Sequence, residues 1–198
     1  ILCGEKLSPQ EVVLCAAHAE DVTSGGFHAD NVAPCVLGGF TVIRSYEPFE
    51  VISIKPPENL GIVVAMPDVM VPTRESRMVL PHEVPVKDMV FHLGNAACMV
   101  YGMQTGDLGL IGRSVKDAVF EPARTKLVPY LKKAEAAAMS HGAVASFLGG
   151  SGPCIISFYD KSSHQGEAIA ESIVALYAEN DMKCDTWITE PGSGCRRI

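Results

Sequence analysis

No apolar run in this sequence approaches the ~20 residues that a bilayer-spanning helix requires. No basic stretch with an apolar segment behind it opens the chain, so a secretory leader is not read either. Positive charge is scarce: 16 Lys and Arg face 23 Asp and Glu, for a net charge of −7. That balance argues against nucleic acid or an anionic membrane as the main partner. It leaves open a pocket for a small anion, which needs only a few local cations. The seven cysteines include no CxxC pair and no Cys/His group at zinc spacing, which argues against a metal framework or thioredoxin-like chemistry. Cysteines scattered in this way suit a reducing cytosol. No G-x-G-x-x-G joins a strand to a helix, and no glycine loop ends in G-K-[ST], so neither a Rossmann nor a Walker loop is read.

What is present reads as an ordinary soluble globular chain of 198 residues, enough for one domain or one domain and part of another. It opens on Ile1, and ILCGEKLSPQE reads as the end of one helix, a turn and the start of the next, as though the chain began inside a domain. Ser8 and Glu11 form a capping box with Pro9 at the first helical position. That helix is expected to stop near Ser24-Gly25-Gly26. FTVIRSY and FEVISIK read as strands around Glu47-Pro48, and LGIVVAMP as a buried strand. PTRESRMVLP reads as a short helix, and VPVKDMVFHLGNAACMVYGMQ as a long one with Val86, Val90, Leu93, Ala97, Val100 and Met103 on one apolar face. Further helices are expected from Asp107 and from Glu121-Pro122, the latter running to His141-Gly142. Strands AVASFL and CIISFYD, helix GEAIAESIVALYAEN and strand KCDTWITE follow, with PGSGCRRI as a loose tail. This order predicts an α+β fold with helices on one face of a mainly antiparallel sheet.

Five places carry chemistry. Gly149-Gly150-Ser151-Gly152-Pro153 stands between two strands. Its glycines allow positive φ and close ligand approach, and such a turn can aim several N–H groups at an anion; it can equally be a plain hairpin turn. Pro153 stands where a nucleophile elbow requires glycine. His28, Asp30 and Asn31 sit together beside a glycine turn, where Asp30 can present acceptors or simply cap a helix. Thr73 and Arg77 share a helical face, and a hydroxyl with a guanidinium there suits a carboxylate as well as it suits solvent. Arg124 stands at a helix start, where a cation opposes the dipole, which suggests an ion pair or a ligand. Glu20 lies late in the first helix, a position typical of a solvated charge.

Taken in order, FHADNVAPCVLGGF, VPTRESRMVLP, FEPARTKLVP and FLGGSGPC resemble the segments HxDNVAPxxxGGF, [ST]-x-x-x-R-x-x-L-P, EPxRxxLxP and SGSGP[ST] of the homoserine kinases, a family of the GHMP superfamily. The resemblance covers nearly the whole chain. It implies a GHMP kinase fold, with residues 1–39 as the remnant of an S5-like, ATP-binding N-terminal domain and 40–198 as a ferredoxin-like C-terminal domain. It implies transfer of the γ-phosphoryl group of ATP, with Mg2+, to the hydroxyl of L-homoserine, a step of threonine synthesis. By the same resemblance Arg77 and Arg124 hold the substrate carboxylate, with Arg124 also counted as catalytic, and Thr73 supports them. His28, Asp30 and Asn31 line the amino-acid pocket, Glu20 is the catalytic metal carboxylate, and Gly150, Ser151 and Gly152 face the nucleotide. A cytoplasmic enzyme is implied, with no nucleic-acid or membrane partner and with a homodimer as its assembly.

Gly149 and Cys154 depart from the third motif, where the family has Ser and Ser or Thr. The family's main phosphate loop, P-x-x-x-G-L-G-S-S-A, is not among these residues, so the chain is expected to carry substrate specificity without activity of its own. Two other readings stay open: a non-catalytic amino-acid-binding module, and another GHMP kinase or decarboxylase.

Overall fold

The computed structural model describes residues 7–24 and 26–196; the helix end expected within residues 1–6 lies outside them. The described chain forms two compact units, one of residues up to Pro56 with those from Pro191 onward, the other Pro57–Glu190. Among the described residues no helix is long and apolar enough to cross a membrane.

In the first unit, helix α1 (Pro9–Ser24) starts as the capping box predicts. Glu11 N–H donates to Ser8 Oγ at 3.3 Å and Ser8 N–H to Glu11 Oε2 at 2.6 Å, so two otherwise orphaned amides are satisfied reciprocally. One face of α1 buries Val13 and Ala17, four residues apart, against Ala29, Ala33 and Val51. Ala33 lies on the short helix α2 (Val32–Leu37) and Val51 on β2 of an antiparallel hairpin, β1 (Phe40–Tyr46) and β2 (Phe49–Ile54).

The C-terminal residues, expected to be loose, return to this unit instead. Gly39 N–H donates to Gly192 O at 2.8 Å and Cys195 N–H to Val36 O at 3.0 Å. Close backbone approach makes this possible: a Cβ on Gly38 would lie 2.3 Å from the Ser193 carbonyl carbon, and one on Gly194 would lie 2.6 Å from Gly38 N. Both residues have positive φ, 72° and 77°.

The second unit is built on a four-stranded antiparallel sheet in the order β4-β5-β3-β6. Its strands are β3 (Leu60–Pro67), β4 (Ala145–Leu148), β5 (Ile155–Asp160) and β6 (Cys184–Thr189). Alternate residues such as Val63, Ala65, Ile155 and Tyr159 point into one core. Helices α7 (Leu131–Ser140) and α8 (Gly166–Ala178) close that face with Leu131, Ala134, Ala138, Ile169 and Ile173. The α+β arrangement of helices over an antiparallel sheet is the expected one.

Two further expectations are corrected. The helix predicted from Glu121 to His141 is broken into α6 (Phe120–Arg124), a 3-10 turn at Thr125–Leu127 and α7. Pro129 causes the break, because it lacks an N–H and pushes Val128 to an extended conformation, φ −119° and ψ 101°. The long helix α4 (Val86–Thr105) forms, but its apolar face is mostly open: Val86, Val90 and Leu93 are 76%, 62% and 65% exposed, whereas Met103 is buried. Helices α3 (Thr73–Met78) and α5 (Leu108–Ser114) complete the unit; Asp107 caps α5 by accepting from Leu110 N–H at 2.8 Å.

Replacing Gly38 by alanine should cost at least about 1–3 kcal/mol, because the backbone sits in a glycine-only region and the methyl meets the returning tail. The expected result in urea denaturation is a lower midpoint, with faster hydrogen exchange at the Gly39 and Cys195 amides.

Candidate functional site

Three of the segments singled out in the sequence meet in the second unit. Between β4 and β5 the chain makes a tight turn, with Gly149 N–H donating to Cys154 O at 2.7 Å and Gly152 N–H to Gly149 O at 3.0 Å. Gly150 and Gly152 take positive φ, 58° and 83°, which glycine alone adopts without strain. The amides of Gly150 and Ser151 donate to nothing among the described residues. Two adjacent free N–H groups of this kind form an anion-receiving concavity.

The carbonyls of the same turn are held from outside. Ser76, fully buried on α3, donates its hydroxyl to Ser151 O at 2.9 Å. Arg124, half-buried, donates Nη1–H to Gly150 O at 2.9 Å and Nε–H to Ser76 O at 3.3 Å. Its guanidinium therefore ties α3 to the turn. Arg124 lies in the last turn of the five-residue α6, not in the first turn of a long helix, so its charge suits the dipole rather than opposing it. Nη2 makes no bond among the described residues and is available to a ligand. Thr73 and Arg77 project from the exposed side of α3, with no side-chain hydrogen bond among the described residues.

Helix α6 is fixed at its start by a residue that drew no attention in the sequence. Asp117 accepts from the amides of Val119, Phe120 and Glu121 at 2.7, 2.8 and 3.0 Å. An Asp four residues before Glu121-Pro122 is a capping signal that could have been read. His92 Nε2 lies 3.3 Å from Asp117 Oδ1. It accepts from Ala118 N–H at 3.1 Å, so the two do not form an ion pair. Glu121 was also missed. Its Oε2 accepts from Leu148 N–H at 2.8 Å, and its Oε1 pairs with Lys132. Lys132 also donates to Glu135 Oε2 at 2.9 Å. Glu135 Oε1 is buried with no partner among the described residues. Burial above all, and then the neighbouring Glu121 charge, push the Glu135 carboxyl above its usual value, although the Lys132 hydrogen bond works against this. Burial disfavours the Lys132 ammonium, but its bonds to Glu121 and Glu135 outweigh that and raise it. A cavity of ≈ 230 Å³ opens beside these groups, lined by Asp117, Phe120, Glu121, Arg124, Leu148 and Gly150 among others. That is below the ~300–1,000 Å³ of drug-sized pockets and on the scale of a small metabolite.

The remaining candidates lie in the first unit. Glu20 is half-buried on α1. The exposed His28 folds its ring over Gly26, where an added Cβ would meet Nε2 at 2.7 Å. Asn31 takes the N-cap position of α2 but makes no capping bond. Asp30 and Asn31 are thus both exposed, and the capping role open to Asp30 is not realised. Among the described residues no three His, Cys, Asp or Glu side chains converge on a metal position. Magnesium takes one or two carboxylates and fills its shell with water and phosphate. One glutamate therefore fits a phosphate-borne Mg2+, though not a protein cage.

The chain is similar to known proteins. Residues 99–179 match the family described as GHMP kinases C terminal. Homoserine kinase of Chlorobium phaeovibrioides is 38% identical over 95% of this chain, and that of Methanococcus maripaludis is 41% identical over 96%. The crystal structure of homoserine kinase from Cytophaga hutchinsonii superposes with a TM-score of 0.92 at 32% identity, covering 98% of this chain. Mevalonate kinase of L. major, solved with R-mevalonate, shares the fold at a TM-score of 0.66 and 20% identity. The fold is that of the GHMP kinases. Within that superfamily the chain is similar to homoserine kinases, and it spans 59%, 60% and 61% of these three relatives.

Glu135 provides a test of the charge cluster. Its raised carboxyl lets the folded state hold a proton longer than the unfolded chain does. The stability this contributes is present below the usual value of 4.5 and is lost as pH rises through the raised value. Glu135→Gln should therefore melt at the same temperature as the native chain or higher at pH 7, with the advantage gone below pH 4.5. Thermal melts across that range check it.

Proposed function

We propose that the gene product containing these residues phosphorylates the hydroxyl of L-homoserine, using ATP and Mg2+, in threonine synthesis. One observation carries the reading most. In a chain this similar to homoserine kinases, Arg124 of the EPAR segment and Ser76 of the TRESR segment converge on the GGSGP turn. The bound nucleotide supplies the phosphoryl group, which needs little covalent help from the protein. The work left to this chain is positioning and charge stabilisation. Gly150 and Ser151 offer amides to a phosphate oxygen, with Gly152 shaping the turn, as a supporting wall of the nucleotide site. Glu20 is the carboxylate toward the metal, and His28, Asp30 and Asn31 belong to the amino-acid pocket. The reading includes a homodimer in the cytoplasm; the unpaired state of all six described cysteines fits a reducing compartment.

The two arginines take different shares of the carboxylate. Arg124 spends Nε–H and an Nη1 hydrogen on backbone carbonyls, so it meets the substrate mainly through Nη2. Arg77 keeps its whole fork for a bidentate contact. A coupled assay of the complete gene product, with homoserine, mevalonate and galactose side by side, tests the function. Preference for either of the last two overturns it. With homoserine, Arg77→Ala should raise KM about 10–100-fold with little change in kcat, the scale of a charged hydrogen bond. Arg124→Ala should lower kcat as well, because it also releases the turn.

A further inference from the structure

The amide of Leu148 is the last before the Gly149-Gly150 turn, and it belongs to the edge strand β4. It donates to Glu121 rather than to a neighbouring strand. Glu121 and Arg124 are three residues apart on α6, so they share a face. From that face the first grips the strand entering the turn and the second grips Gly150 O inside it. The helix that carries both is itself pinned by three amide bonds to Asp117. Lys132 of α7 pairs with the other Glu121 oxygen, which holds the carboxylate in one rotamer and offsets its charge.

We propose that Glu121 is a positioning residue that sets the β4 end of the turn, so that the free amides of Gly150 and Ser151 stand ready for a phosphate oxygen. The role in turnover rests on the kinase reading above; the control of turn geometry does not. Glu121 touches no reacting group. It acts through the backbone, and its substitution should change nucleotide use more than amino-acid recognition.

The experiment has two arms. In the first, hydrogen exchange is followed at residues 148–152 of the 198-residue chain for the native sequence, Glu121→Met and Glu121→Gln. Met keeps the volume but offers Leu148 no oxygen, whereas Gln keeps an acceptor. Met should speed exchange at Leu148 and the turn about tenfold or more, the scale of one lost partly buried bond, and Gln should restore most of the protection. Ile173→Val, in the core away from the turn, reports the effect of lost stability alone. Should Glu121→Met not fold, Glu121→Asp replaces it, since it keeps the charge but withdraws it by one methylene. In the second arm, the complete gene product is assayed with homoserine and ATP. Met should raise the KM for ATP and lower kcat about tenfold, with the homoserine KM nearly unchanged and with rescue by Gln. Unchanged turn exchange in the Met variant, loss no different from Ile173→Val, or equal loss in Met and Gln overturns the proposal. If the native protein fails to phosphorylate homoserine, the functional reading falls while the first arm still decides whether Glu121 sets the turn.

Discussion

The guanidinium of Arg124, bonded at once to the carbonyls of Ser76 and Gly150, is the constraint on which the described site depends. Turn carbonyls next to a cavity attract water and mobile cations, and a glycine-rich turn has many conformations to lose. A charged planar donor with several N–H groups removes both problems with one side chain. Because the partners are main-chain atoms, the clasp tolerates changes at the neighbouring side chains. Gly149 and Cys154 depart from the usual third-motif residues, yet the loop closes through Gly149 N–H to Cys154 O, a bond that either side chain leaves untouched.

The clasp also explains the placement of Ser76. Thr73 and Arg77 stood out in the sequence because a hydroxyl and a cation four residues apart suggest a binding face. The residue that orders α3 against the turn is the plain serine between them, fully buried and bonded to Ser151 O. Burying a hydroxyl without a partner is costly, so the Ser76 bond fixes α3 in register with the turn. The exposed face is then left to Thr73 and Arg77.

Local signals were legible, and long-range ones were not. The Ser8–Glu11 capping box, the strand bounds around Glu47-Pro48 and the run Leu60–Pro67 came out as read, because propensity and capping act over a few residues. The four ordered segments located the turn, α3 and α6. Glu121 escaped notice because its partner Leu148 is 27 residues away, and no spacing rule reaches that far. Periodicity on α4 marked an apolar face correctly but not its cover, since a stripe records what a helix buries best and not what stands opposite. Pro129 was visible as a helix breaker, and it does divide the run from Glu121 to His141. The tail was expected to be loose, whereas its backbone approaches Gly38 and Gly39 closely, which Gly194 permits.

Placing a carboxylate as the acceptor beside an anion-receiving turn carries an electrostatic cost. An isolated Glu121 charge would repel the phosphate oxygen that Gly150 and Ser151 are shaped to receive. Lys132 offsets it directly, but Lys132 is shared with Glu135, and two carboxylates on one ammonium leave a negative excess. Burial lifts the Glu135 carboxyl above its usual value, and its Oε1 has no partner among the described residues. Arg124 is the cation that an approaching anion meets at the cavity wall. A second lysine in place of Glu135 would remove the negative excess, but it would compete with Arg124 for that anion and blur the orientation that phosphoryl transfer depends on.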